Sequence, residues 1–311
     1  MKLKALSNYD GDRNTRFGDC MLLSNGESLV VYDCGHTRHA ERTKRFLESN
    51  PSISQVHIVV SHNDGDHTGG VLDLLWHLNG TRYVVMVYTS LYLYLESARE
   101  ILEHLDDGRR TLTATEERIL QTFDNIKEVV EKAEEYGFET KNAAVGTAVA
   151  SCNIVGPRED EFVAVVAQAI QDADAQIAGE TVMNAASVQL KCKLDNAQTI
   201  LLCGDGSPEY LHRLDSYDVI QLPHHGKLDS AKAIFEKLDD SYSKMYFISD
   251  NTGTGATSGG SNETVKYMQE ECYDVALNTQ DGIIDIPQAG FTGTSTNKPQ
   301  GVKLGEMDCW C

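Results

Sequence analysis

The chain has 311 residues, 41% of them hydrophobic, and a formal net charge of -20 at pH 7. That length supports a full core in one large α/β domain or two small ones. Such a charge argues against a broad basic surface that grips long nucleic acid through many phosphates, and no run of about 18 apolar residues offers a membrane span.

Met1-Lys2-Leu3-Lys4 leads straight into a strand rather than into a signal-peptide core, so a soluble, cytoplasmic protein without membrane association is expected. Residues 2–35 read as antiparallel strands with turns at Asn8 to Arg13 and Ser24 to Glu27, and residues 39–49 as a helix. Arg38, Arg42, Lys44 and Arg45 read as the solvated face of that helix. The apolar run Val56 to Val60 predicts a strand over 55–60. Val71, Leu72, Leu74, Leu75 and Leu78 mark a helix over 68–78, followed by a strand over 83–88.

From about 90 to 140 the pattern is helical and charged, an insertion in which Ile119, Phe123, Ile126, Val130 and Ala133 share one face. That face packs on its own domain or receives a partner, either a second copy of the chain or another protein; the first is favoured. A strand is expected over 150–155, a helix over 159–175, and strands over 185–194, 198–203 and 217–222, with a short helix after Ser207-Pro208. A helix over 263–271 and strands over 273–277 and 282–286 close a domain spanning 1–287. Residues 288–311 read as a tail, and the Gly-rich stretch from Ser249 to Asn262 as a long connection or a substrate rim. Cys20, Cys34, Cys152, Cys192, Cys203 and Cys272 lie in or beside apolar elements and read as reduced thiols; Cys309 and Cys311 fall in the tail.

The informative stretch is His62-Asn63-Asp64-Gly65-Asp66-His67-Thr68-Gly69-Gly70, which places four ligand-type side chains within six residues. A strand-to-helix turn lets His62, Asp64, Asp66 and His67 point inward together, whereas a regular strand sends alternate side chains to opposite faces. Asp205 and the pair His224-His225 stand just past two later strand ends.

These segments resemble the metallo-β-lactamase superfamily, in the variant found in the nuclease-like domain of ComEC-type competence proteins, where Asp replaces the second His. The order also agrees elsewhere: Gly18-Asp19-Cys20 and Leu29 to Gly35 are similar to the family's opening hairpin. Asn184 with Ser187 resembles its Asn-x-x-Ser strand, Leu201 to Asp205 the strand ending in the bridging Asp, and Val219 to Gly226 the His-His-Gly motif. The resemblance implies a four-layer αββα sandwich of the metallo-β-lactamase type with a helical insertion. It also implies two divalent ions, one held by His62 and Asp64, the other by Asp66 and His67, bridged by Asp205 and completed by His225 in preference to His224.

The function so implied is a dinuclear hydrolase, a phosphodiesterase or nuclease acting on DNA or nucleotides through a metal-bridging hydroxide. Asp66 and Asp205 are its catalytic ligands, His224 a substrate-facing donor, and Lys227 a charge for the leaving oxygen. Asp64, and Asn184 where many relatives have a His, make the first site oxygen-rich and favour Mn²⁺ or Mg²⁺ over Zn²⁺. Two other readings use the same residues: an amide or thioester hydrolase of small molecules, and a metal-stabilised partner protein without catalysis.

Overall fold

The computed structural model describes residues 1–7, 18–105, 111–177, 179–250, 261–274 and 276–287. The expected turn at Asn8 to Arg13, most of the Gly-rich stretch and the Cys-Trp-Cys tail lie outside these residues.

Strands β1 (Lys2–Ala5), β2 (Met21–Asn25), β3 (Ser28–Tyr32), β4 (Gln55–Val59), β5 (Val84–Thr89) and β6 (Glu139–Asn142) pair in sequence order. The first three are antiparallel, and β3 to β6 run parallel. The second sheet takes β7 (Ala148–Val149) and β8 (Cys152–Gly156); β9 (Gln176–Ile177) and β10 (Glu180–Thr181) form a separate ribbon. β11 (Gln189–Lys193), β12 (Thr199–Leu202), β13 (Val219–Gln221), β14 (Met245–Ile248) and β15 (Leu277–Asn278) complete the second sheet, and β16 (Ile284–Ile286) returns to pair with β1.

Period-two alternation explains the layering. In β3, Val30 and Tyr32 face the other sheet, while Leu29 and Val31 face helices, and all four are inaccessible to solvent. Strands buried on both faces need a near-continuous apolar run, which β3 supplies in Leu29 to Tyr32 and β4 supplies but for His57, whose Nδ1 meets the Tyr88 hydroxyl. In β12, Ile200 and Leu202 point between the sheets and Leu201 points out beneath helices. The result is the four-layer αββα sandwich expected from the sequence, with a helical insertion.

The helices over the first sheet are α1 (Thr37–Ser49), α2 (Gly65–Thr68), α3 (Val71–Leu78), α4 (Leu91–Glu96), α5 (Ala98–His104), α6 (Leu112–Thr122), α7 (Asp124–Glu135) and α8 (Glu159–Gln171). Ile119, Phe123, Ile126, Val130 and Ala133 are buried in the core of their own domain, so this stripe is not a surface for a partner. No helix among the described residues is long and apolar enough to cross a membrane.

Further along come the single turn α9 (Val182–Ala185), the turn α10 (Pro223–Gly226), α11 (Leu228–Lys237) and α12 (Asn262–Glu270). Helix α11 and strand β14 carried no expectation from the sequence. Asn184 lies on α9 rather than on the expected strand, because Ser187 turns back to donate both its amide and its hydroxyl to the Asn184 carbonyl. The reading of Cys152 and Cys192 as reduced thiols is also corrected. They are a directly opposed cross-strand pair of β8 and β11, with Cα atoms 4.5 Å apart, and they form a disulfide. Cys272 is disulfide-bonded as well, while Cys20, Cys34 and Cys203 are free and buried.

Candidate metal centre

Parallel strands from both sheets end at one rim, and each delivers polar side chains just past its last residue. Asp33 follows β3, Ser61 and His62 follow β4, Asp205 follows β12, and His224 and His225 follow β13. The turn from β4 into α2 is held by the opening hairpin: Asp19 N–H donates to the Asp66 carbonyl at 2.9 Å. Gly18 is required there, for its φ is +59° and a Cβ would stand 1.6 Å from the Asp66 oxygen.

His224 and His225 both adopt left-handed backbone, with φ of 53° and 54°. Such conformations cost on the order of 1–3 kcal/mol outside glycine and cluster at functional sites. Gly226 closes the turn at φ +80°, where a Cβ would come within 2.9 Å of Ile248. The strained turn sends the two rings to different places.

His225 turns inward, its Nε2 lying 3.3 Å from Asp66 Oδ2 and 3.6 Å from Asp205 Oδ2. Its Nδ1 faces Asp19 Oδ1 at 3.1 Å and the Ser249 carbonyl at 2.9 Å. His67 is built alike: Nε2 is 3.2 Å from Asp205 Oδ1, and Nδ1 is 2.8 Å from Asp33 Oδ2. The rings of His62 and His67 are 4.1 Å apart, and His62 Nε2 is 3.9 Å from Asp64 Oδ2. The structure therefore gathers His62, Asp64, Asp66, His67, Asp205 and His225.

His224 stays at the margin. Its Nδ1 bonds Glu180 Oε2 at 2.6 Å and its Nε2 is 3.9 Å from Asp205 Oδ2. Lys227 is turned to Glu180 at 3.2 Å and to the Gly179 carbonyl at 3.1 Å, so its charge is spent on that carboxylate rather than on the centre. Asn184 Nδ2 reaches Asp205 Oδ2 at 3.5 Å.

Asp19, Asp33, Ser61, Gln221 and Glu180 went unread as site residues. Asp33 accepts from Ser61 N–H and Oγ, both at 2.7 Å, and Asp19 accepts from Gln221 Nε2 at 2.9 Å. Ligand atoms of Asp19, His67, Asp205 and His225 all lie within 4.8 Å of one another. Asp19 faces His225 Nδ1 with one oxygen and accepts from Gln221 with the other, which places it to orient the His225 ring.

The electrostatics follow from these contacts. Burial disfavours the Asp66 carboxylate, yet the His225 hydrogen bond and the charges of His67 and His225 outweigh it and hold the group well below the usual range. Burial also opposes ionisation of Asp205, and His225 and His67 again prevail, keeping it ionised. Asp64 has no such partner: burial, with the Asp66 charge, pushes it up to about 6. Burial lowers His62 to about 4.

Divalent ions fit this set on an observation of the structure. His62 Nε2 and Asn184 Oδ1 are buried without a hydrogen-bond partner, and the buried His67 Nε2 and Asp205 Oδ1 face only each other, at 3.2 Å. Leaving buried polar atoms unsatisfied costs about 1–3 kcal/mol each, whereas imidazole and carboxylate together suit divalent transition metals. Asp64 and Asp66 also line a cleft of about 620 Å³ with Gly35, His36, Thr37, Gly65 and Gly69. The centre thus opens to solvent on its carboxylate side.

The profile of the Metallo-beta-lactamase superfamily matches residues 13–147, a stretch that ends before Asp205 and His225. No curated protein matches the sequence significantly. Among solved structures, the short form of human tRNase Z is 13% identical over 89% of this chain and 93% of its own, with a TM-score of 0.39. The metallo-beta-lactamase fold protein YhfI from Bacillus subtilis is 12% identical over 71% and 70%, at 0.35. A Cronobacter sakazakii metallo-beta-lactamase mutant is 14% identical over 60% of this chain, at 0.30, and the chain spans little more than half of that protein, 56%. The two large sheets layered with helices are consistent with a metallo-β-lactamase fold.

Proposed function

We propose that this chain is a hydrolase of phosphodiester bonds that works with two divalent ions, one held by His62 and Asp64 and the other by Asp66, His67 and His225, with Asp205 between them. The observation that supports it most is the set of buried, unpartnered ligand atoms beside an open cleft. Bound divalent ions would supply a nucleophile from water near neutral pH and polarise the phosphoryl oxygen. The protein's own groups do the rest. Asp33 and Asp19 fix the rings of His67 and His225 so that each Nε2 faces the centre. His224, braced by Glu180 at 2.6 Å, is placed to hold a proton at Nε2 beside Asp205 and give it to a leaving oxygen. Lys227 serves through Glu180 rather than on substrate.

The bond class rests on the resemblance of the His62 to Gly70 and His224 to Gly226 motifs to the competence-protein nuclease domain. With a net charge of -20, a nucleotide or single-stranded substrate suits the chain at least as well as duplex DNA. Assays of single-stranded DNA, duplex DNA, RNA and cyclic nucleotides with Mn²⁺, Mg²⁺ and Zn²⁺ test this reading. Cleavage that disappears in Asp66→Ala supports it. Turnover of esters or amides with none of phosphodiesters would replace it.

A further inference from the structure

The residue between His62 and Asp64 faces away from the centre. Asn63 is 5% exposed, and its Oδ1 accepts from Ile126 N–H at 3.0 Å. Ile126 is the third residue of α7, a position whose amide is normally satisfied by the N-cap side chain. Here the N-cap is Phe123, which makes no side-chain cap, so the metal turn caps the helix instead. Asn125 Nδ2 returns a bond to the Asn63 carbonyl at 2.6 Å, and Asn63 Nδ2 lies 3.5 Å from the Thr122 carbonyl at the end of α6.

This clasp matters because of which ligand it borders. His67 and His225 are oriented by Asp33 and Asp19, and His62 Nδ1 contacts Ser61 Oγ at 2.9 Å. The Asp64 side chain makes no hydrogen bond among the described residues, reaches His62 Nε2 only at 3.9 Å and is 40% exposed, so its placement depends chiefly on its backbone. On the far side that backbone is fixed by α2, where the Asp64 carbonyl accepts from His67 and Thr68 N–H at 3.0 and 3.1 Å. On the near side, the peptide joining Asn63 to Asp64 is the one Asn125 holds.

We propose that Asn63 and Asn125 are positioning residues through which the helical insertion holds Asp64, so that occupancy of the first metal site, and of that site alone, depends on α7. This rests on the ligand assignment under the proposed function. The insertion is then a lever on metal content, although it contributes no ligand.

Calorimetric titration of Mn²⁺ into the metal-stripped full chain tests it, with the first site identified as the step that Asp64→Ala removes. In Asn125→Ala that step should weaken by about tenfold, the lower end of what substitutions behind metal ligands cost. The step belonging to Asp66, His67 and His225 should stay unchanged. Asn125→Asp, which sets an acceptor against the Asn63 carbonyl, should weaken it at least as much. Val129→Ala loosens the packing of α7 without touching the clasp and should move neither step. The proposal is overturned if Asn125→Ala shifts both steps equally or neither, or if Val129→Ala weakens the first as much as Asn125→Ala does. A wild-type chain that takes up no Mn²⁺ would remove the metal reading itself, and the clasp's role with it.

Discussion

Asp33 Oδ2 and His67 Nδ1 stand 2.8 Å apart with both side chains wholly out of solvent, and the opposite nitrogen of the same ring faces Asp205. The carboxylate therefore chooses the tautomer: Nδ1 carries the proton and Nε2 is left for a metal. Asp33→Asn keeps the shape but removes the charge. Metal affinity of the site formed by Asp66, His67 and His225 should fall about 10–100-fold, read by competition with a chromogenic chelator. Unaltered affinity would mean that Asp33 is a folding residue only.

Metal preference follows from ligand hardness. The proposed first site pairs one imidazole, His62, with the Asp64 carboxylate, and the Asn184 amide lies nearby through its 3.5 Å contact with Asp205. Oxygen donors favour Mn²⁺ or Mg²⁺ over Zn²⁺. Asp64→His should shift the ratio of Mn²⁺-supported to Zn²⁺-supported turnover towards zinc, measured at saturating metal. A wild-type chain that binds two zinc ions tightly and works best with them would refute the argument.

His39 predicts a pH dependence of stability away from the metals. It is fully buried on α1, neither ring nitrogen has a partner among the described residues, and burial lowers it to about 3. The unfolded chain takes up a proton near the ordinary histidine value and the folded chain does not. The neutral ring therefore contributes full stability above about pH 6.5, lost progressively as pH falls towards 3. Between pH 7.5 and 5 the loss should be about 2 kcal/mol. Urea unfolding of wild type and His39→Leu at both pH values checks this: the variant should lose less by about that amount, and equal losses would contradict it.

Much of the architecture is legible because its signals are local. The apolar run Val56 to Val60 and the ligand cluster that follows it are adjacent in sequence, and the Ile119 to Ala133 stripe shows in its own three-and-four spacing. What escaped is set by tertiary pairing. Nothing near Asp19 or Asp33 says that their carboxylates stand behind His225 and His67, and Glu180 meets His224 only because β10 lies beside the His turn. Cys152 and Cys192 are 40 residues apart, and only the register of β8 with β11 opposes them. Lys227 looked like a charge for substrate because a sequence does not reveal that Glu180 neutralises it.

The central claim, that one centre built from both sheets binds two ions and cleaves phosphodiesters, is tested by a single titration. Metal-stripped protein would receive Mn²⁺ in increments, with bound metal and hydrolysis of bis(p-nitrophenyl) phosphate followed together. Turnover should be absent without metal, rise to a plateau as the second equivalent binds, and be lost by orders of magnitude in Asp205→Ala, which removes the carboxylate that faces both His67 and His225 and would serve both ions. Turnover that persists in the stripped protein, or that survives in Asp205→Ala at full metal occupancy, would contradict the account.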